Sequence, residues 1–310
     1  MALDAEREIH SKITREPGSR PSRLLRRLPA ASGAAVPGVF VVLWSSAFIA
    51  GVIGVDAAPP LLLMFSRFAA AGLLLAAFAR AVRAPWPRGR TLAHVAVSGL
   101  LVQAVQFGAL YSALGMGLPA AVVALVQGLN PVVIAVLAAR LLGERVNGRQ
   151  WVGFGLGAAG VLLAVADRVA FSPWGVVLCA IGLLGLSLGT LYQKRFVPEM
   201  DVRSGTAVQF LVAAPPLGLL ALLLETPRVS DWGAFGGSLG WMVAVNSIGA
   251  FVLLNTMLRR SSASRVSTLF FLTPSVTALM AFALVGQALH PLALMGLVLG
   301  AAGVLLANRR

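Results

Sequence analysis

The sequence predicts an all-α membrane protein of ten transmembrane helices, built as two inverted five-helix repeats. Three observations carry this. Hydrophobic residues make up 58% of the 310 positions, charged residues only 12%, and the mean hydropathy is +0.86. A soluble domain of this size needs a larger charged exterior. Apolar runs of roughly 20 residues recur from Val36 onward, the length at which a helix crosses hydrocarbon. Finally, the segment LGAAGVLLA occurs twice, at 156–164 and at 299–307.

The first half opens with a tail, 1–35, that holds seven Lys/Arg and four Asp/Glu and no apolar run. It reads as a cytosolic, disordered extension rather than a cleavable signal peptide. Spans follow near 36–55, 59–82, 92–113, 118–141 and 149–166, which gives a first repeat over 36–168. The second repeat covers 169–310, with spans near 172–194, 204–225, 233–257, 264–285 and 290–307. The connections are short and leave no room for a soluble domain. The one cysteine, Cys179, excludes an internal disulfide.

Charge placement orients these spans. With the tail inside and ten alternating spans, 22 of the 25 Lys/Arg face the cytosol. Only Arg168 and Arg228 fall outside, and Arg67 lies within span 2. This positive-inside asymmetry accounts for the net charge of +14 without a nucleic-acid partner. It predicts a multi-pass protein of a bacterial inner membrane with both termini cytoplasmic.

The duplication extends outward at an offset of 143. Between 130–164 and 273–307, 16 of 35 positions are identical, against roughly 10% for random matching. Pro131 aligns with Pro274, Gly143 with Gly286 and Gly153 with Gly296. Five spans per repeat put the second copy in the opposite orientation, and the charges agree. Loop GERVNGRQ from Gly143 carries Arg145 and Arg149, whereas its partner GQALHPLA carries neither Lys nor Arg. Uncharged GMGLPAAV from Gly115 is answered by LRRSSASR, with Arg259, Arg260 and Arg265. Such inverted repeats are the architecture of alternating-access transporters, which bind cargo at the midplane between halves.

LWSSAFIAG in span 1, SRFAAAGLLLA in span 2, YSALGMGLPAAVVALVQGLNPV across spans 3 and 4, and LLGERVNGRQWVGFGLGAAGVLLA closing the half carry a family resemblance. The second copy, LFFLTPSVTALMAFALVGQALHPLALMGLVLGAAGVLLA, follows the same pattern. Over about 36–307 the chain resembles the EamA branch of the drug/metabolite transporter superfamily, and is similar to its amino-acid exporters. The resemblance implies ten helices, export of metabolites, and a cavity lined by spans 1, 3, 4, 6, 8 and 9. The second half departs from it where Gln287 stands in place of a glutamate.

Polar side chains at mid-depth are costly unless they face protein or water, so they nominate the site. Gln103 and Asn246, related by the offset, form a candidate pair of substrate amides or, alternatively, interhelical glue. Asn130–Pro131 and Thr273–Pro274 form a second pair in which each proline frees a carbonyl. Pro131 and Pro274 read as gate hinges or as static kinks. Trp44, Ser45, Gln106, Tyr111, Gln127, Ser187, Thr190 and Asn255 complete the expected substrate-binding set, with Trp44 as a flat apolar wall. Arg67 lies about 12 Å into span 2; it either snorkels to the outer interface or holds a substrate carboxylate.

These residues suit neutral or aromatic amino acids as cargo. None of the eleven acidic residues sits near a span centre, which predicts a uniporter without ion coupling. No cofactor, metal or enzymatic activity is expected, and the two-repeat chain is expected to act as a monomer in the lipid bilayer. Export of lipids or other metabolites on the same fold is the alternative. A distant one is an intramembrane serine hydrolase, from the G-x-S-x-G pattern GLSLG at 185–189.

Overall fold

The structure, a computed structural model, describes residues 32–118, 120–141, 147–165 and 173–285, and scattered positions from 291 to 306. Contacts divide the chain into two units. One is Met1–Val36, of which only the first turn of a helix is described; the other is Pro37–Arg310. All secondary structure among the described residues is helical. The helices are α1 (Ser32–Ala57), α2 (Pro60–Ala81), α3 (Gly89–Gly115), α4 (Ala120–Gly128), α5 (Asn130–Leu141) and α6 (Gly148–Val165). They continue as α7 (Pro173–Phe196), α8 (Val202–Leu224), α9 (Trp232–Arg260), α10 (Ala263–Ser267) and α11 (Thr273–Val285). Among the described residues, seven helices are long and apolar enough to cross a membrane. Span 10, the loop 142–146, Arg168, the glycines Gly296 and Gly300 and most of the second LGAAGVLLA lie outside the described residues.

Local chemistry sets the helix ends. Pro60 starts α2, where its missing N–H costs nothing. The next two amides, Leu61 and Leu62, donate to the Glu225 carboxylate at 2.8 and 3.0 Å, which places an anion on the helix N-terminus. Asp231 caps α9 through the Ala234 amide, and Asp201 caps α8 through those of Arg203 and Ser204. At the other end of α9, the Lys194 ammonium from α7 donates to the carbonyls of Leu258 and Ser261, both at 2.7 Å.

Span 4 is not one helix as the sequence reading had it. It breaks at Leu129, whose amide turns back to Val126, and resumes at Asn130. Pro131 is the cause: it has no N–H for the carbonyl four residues back, and its ring crowds that carbonyl. Span 9 stays helical, but a 3-10 segment, Thr268–Leu272, gives way to α11 at Thr273–Pro274. Two further irregularities are π-helical turns, at Leu100–Val105 in α3 and Met242–Ala250 in α9.

Small residues let the helices approach, because lipid offers no hydrophobic drive for helix pairing. α2 lies along α8, with Gly72 against Leu211 and Gly218 against Phe65. A methyl placed on Gly99 of α3 would fall 2.6 Å from the Gln209 Cα of α8. Gly185 of α7 packs on the Leu101 carbonyl, where a methyl would sit at 2.8 Å. Gly303 meets the backbone of Gly153 and Gly157, in keeping with a packing role for that glycine pair. Leu222, Leu224, Trp174 and Trp232 stay exposed, as lipid-facing and interfacial residues do.

Burial pushes the Asp201 carboxyl up, but hydrogen bonds from the Arg203 side chain and from the Arg203 and Ser204 amides hold it below the ordinary carboxylate range. A lowered folded-state value gives stability that is present above the unfolded carboxylate pKa and lost as pH falls through the folded one. Asp201→Ala is therefore expected to lower the thermal midpoint in detergent by the equivalent of about 1 kcal/mol at neutral pH. The difference from the unsubstituted protein should shrink below about pH 4.

Candidate functional site

Helices α1, α2, α3, α4 and α9 converge on a small cavity. Its walls are mostly apolar: Trp44, Ala47 and Phe48 from α1, Phe107 and Leu110 from α3, and Phe251 from α9. Trp44 anchors an aromatic cluster, with ring centroids 5.0 Å from Phe270, 5.2 Å from Phe251 and 6.2 Å from Phe107. The polar lining is Arg67, Gln106, Tyr111, Gln127 and Asn246. No acidic side chain lines the cavity among the described residues.

Arg67 is 0% exposed, which overturns the snorkelling alternative. It also brings α2 into the cavity wall, a helix the family resemblance left out; α7 and α11, expected as liners, supply none of the lining residues. The guanidinium is held by neutral dipoles and ring faces. Nε donates to Ser247 Oγ at 2.8 Å, and Nη1 reaches the Tyr111 hydroxyl at 3.4 Å and Met242 Sδ at 3.9 Å. Tyr111 donates its own proton to the Ala47 carbonyl at 3.0 Å, so its lone pairs turn toward the cation. The Phe107 and Phe68 ring centroids lie 4.7 and 5.2 Å from the guanidinium carbon, and each face stabilises positive charge. Among the described residues the one ion pair is Arg203–Asp201, far along the chain. A guanidinium stays charged in proteins, so the cavity holds a buried positive charge with no counter-charge among the described residues.

The amides around it are under-used. Gln106 Oε1, both amide atoms of Gln127, and Asn246 Oδ1 are buried with no hydrogen-bond partner. Asn246 Nδ2 is occupied: it donates to the Leu43 carbonyl and to Ser46 Oγ at 3.0 Å, tying α9 to α1. Glue takes that nitrogen and leaves the oxygen.

The remaining predicted residues are not brought to this cavity. Gln103 is fully buried in the α3 π turn with both amide atoms unpartnered, but it is absent from the lining. Ser45 donates to the Thr273 carbonyl at 3.3 Å, linking α1 to α11, while the Thr273 hydroxyl has no partner. Ser187 Oγ has two acceptors in reach, Asn130 Oδ1 at 2.7 Å and the Leu183 carbonyl at 2.8 Å. It sits in mid-helix, not on a strand-to-helix turn, while His94 pairs with Tyr192 at 2.7 Å. Thr190 is buried elsewhere on α7. Pro131 and Pro274 stand in the first turns of α5 and α11.

Asn255 belongs to a separate polar ladder. Gln209 Nε2 donates to Ser98 Oγ at 2.9 Å and to Gln193 Oε1 at 2.7 Å; Gln193 Nε2 donates to Asn255 Oδ1 at 2.8 Å, and Asn255 Nδ2 to Thr206 Oγ1 at 2.7 Å. This is structural cross-linking of α3, α7, α8 and α9. Ranking polar residues by depth missed Ser247, Met242 and the aromatic walls. The buried glutamines of the ladder carried the same signal as Gln103 and were passed over.

The sequence matches the EamA-like transporter family twice, over residues 34–166 and over 173–309. The chain belongs to this family. It is similar to the inner membrane transporter YedA of Escherichia coli K12, 28% identical over 251 residues, covering 80% of this chain and 81% of that one. A probable terminal-alkyne amino-acid exporter of Streptantibioticus cattleyicolor is 30% identical over 282 residues, covering 87% and 91%. A probable amino-acid metabolite efflux pump of E. coli K12 is 26% identical over 275 residues, covering 84% and 89%. One solved crystal structure has the same fold, with a TM-score of 0.73 at 23% identity, over 90% of this chain and 96% of the other. As an EamA-family protein this is a multi-pass membrane transporter.

The two amide sets predict opposite stability effects. Asn255→Ala strands Gln193 and Thr206 and should cost about 1–3 kcal/mol. Gln127→Leu removes two unpaired buried groups and should leave stability equal or higher, by about 1 kcal/mol. Thermal unfolding of the purified variants in detergent checks both.

Proposed function

We propose that this transporter exports small metabolites, most of all amino acids with neutral or aromatic side chains, across the bacterial inner membrane by alternating access. The observation that carries the reading is the uncompensated Arg67 guanidinium in an aromatic-walled cavity, flanked by unpartnered amide oxygens. In this reading Arg67 receives the cargo carboxylate, and Gln106, Gln127 and Asn246 meet its remaining polar groups. Trp44 and Phe107 shelter the side chain.

The architecture of the proposal is ten helices in two inverted five-helix repeats, 36–168 and 169–310, with both termini cytoplasmic and one chain as the working unit. Two regularities support it. The π turn at Leu100–Val105, carried forward by the sequence offset of 143, falls inside the π turn at Met242–Ala250. Asn130–Pro131 and Thr273–Pro274, related by the same offset, each open an α-helical segment after an irregular turn of the span. Helix irregularities at equivalent depths are where such transporters open and close, which gives Pro131 and Pro274 their gating role. Gln103, Ser45, Asn130, Ser187, Thr190 and Thr273 then come into play as the halves move. The absence of Asp, Glu and His from the lining among the described residues supports uniport. Relatives named as amino-acid exporters support the cargo class.

The test is efflux from proteoliposomes loaded with labelled neutral, aromatic, basic and acidic amino acids, without an ion gradient. Selective release of neutral or aromatic species is expected. Arg67→Gln should slow it about 100-fold, the cost of ~3 kcal/mol for one charged contact. Indiscriminate release, or release unaffected by Arg67→Gln, contradicts the reading.

A further inference from the structure

The charge balance of the cavity bears further on the cargo. The inference rests on the transport reading above, and concerns which of its possible cargoes the cavity prefers. A zwitterionic amino acid brings one negative and one positive group. The cavity has a fixed cation for the first and no anion for the second, since its lining holds no acidic side chain among the described residues. Only neutral amide oxygens, on Gln106, Gln127 and Asn246, face an incoming ammonium. The hydroxyls beside the guanidinium, on Tyr111 and Ser247, already accept from it. A zwitterion therefore leaves the loaded cavity with the same net positive charge as the empty one, and sets an ammonium near a guanidinium in low dielectric.

A monoanion does neither. Its carboxylate neutralises Arg67, and a hydroxyl in place of the ammonium donates to an amide oxygen without adding charge. The loaded cavity is then electrically neutral and closes with the smallest desolvation cost. From these observations we infer that the cavity's cargoes extend beyond amino acids to monocarboxylate anions with an apolar or aromatic tail, such as 2-hydroxy acids, and that at equal supply it moves such an anion faster than the zwitterion with the same side chain.

The consequence for energetics is direct. A uniporter for a zwitterion is driven only by the concentration ratio. A uniporter for a monoanion is also driven outward by an inside-negative potential, which at 100 mV balances a gradient of about 50-fold. Export then needs no proton or sodium site.

The experiment compares phenyllactate with phenylalanine, which differ only by hydroxyl for ammonium, in proteoliposomes of the full chain. A potassium diffusion potential of about 100 mV, inside negative, is set or omitted. Phenyllactate is expected to leave about tenfold faster than phenylalanine, and its steady-state ratio to move toward about 50-fold only when the potential is applied. The phenylalanine ratio should ignore the potential. Arg67→Lys keeps the cation and should keep the potential-driven ratio at a reduced rate; Arg67→Gln, if monodisperse, should lose the preference for phenyllactate.

Release of phenylalanine with no transport of phenyllactate overturns the anion preference and leaves amino-acid export standing. Phenyllactate transport whose steady state ignores the potential overturns it too. Movement of neither compound overturns the transport reading along with it.

Discussion

A positive charge buried among aromatic rings, with no negative charge to meet it among the described residues, is the constraint on which the rest of this site depends. A guanidinium cannot shed its proton at any accessible pH, so the fold must stabilise it with what a membrane interior allows. Arg67 is accommodated by the hydroxyls of Ser247 and Tyr111, the Met242 sulfur and the faces of Phe68 and Phe107. These partners come from α2, α3 and α9, so the charge ties three helices to one point. Even the Tyr111 proton is spent on the Ala47 carbonyl of α1, which turns the phenol oxygen toward the cation. The arrangement tolerates the charge without neutralising it.

Around that point α3 and α9, which line the cavity, each carry a π turn, and α4 ends in a proline-associated break before α5. Helix irregularity at membrane depth is tolerated only where protein or a cavity satisfies the backbone. The α2–α8 pair, by contrast, is continuous and closely packed through glycines. The Ser98–Gln209–Gln193–Asn255–Thr206 ladder cross-links the bundle away from the cavity. Its amides are hydrogen-bonded to one another, whereas Gln106 Oε1, both amide atoms of Gln127 and Asn246 Oδ1 beside the cavity have no partner.

Apolar run length was enough to locate seven of the spans within a few residues, because a helix in lipid must satisfy its own backbone and its length is fixed by the bilayer. Proline chemistry pointed to 131 and 274 as perturbed: the helix is interrupted at Leu129 before Pro131, whereas before Pro274 it changes from 3-10 to α without a break. Site residues were less legible. Depth alone marked Gln103 and Gln127 alike, yet one faces the cavity and the other does not, since depth says nothing of rotation about the helix axis. Arg67 was readable either as a snorkelling charge or as a carboxylate contact, and its burial was not legible because its partners Ser247 and Met242 lie 180 and 175 positions away. Trp44 was legible as a wall, but Phe48, Phe107 and Phe251 gave no signal, since a phenylalanine in an apolar span reads the same facing lipid or cavity.

The Glu225 carboxylate grips the first two free amides of α2 from the end of α8, and glycine contacts close the seam between these helices along its length. That makes the pair a stiff frame carrying Arg67, while α9, which brings Ser247, Met242 and Asn246 to the same cavity, reaches it through a π turn. Spectroscopic labels placed one on each member of the frame would report a constant separation throughout a working cycle. The frame is thus a built-in ruler, and displacement of any other helix can be read in ångströms against it without reference to the bilayer.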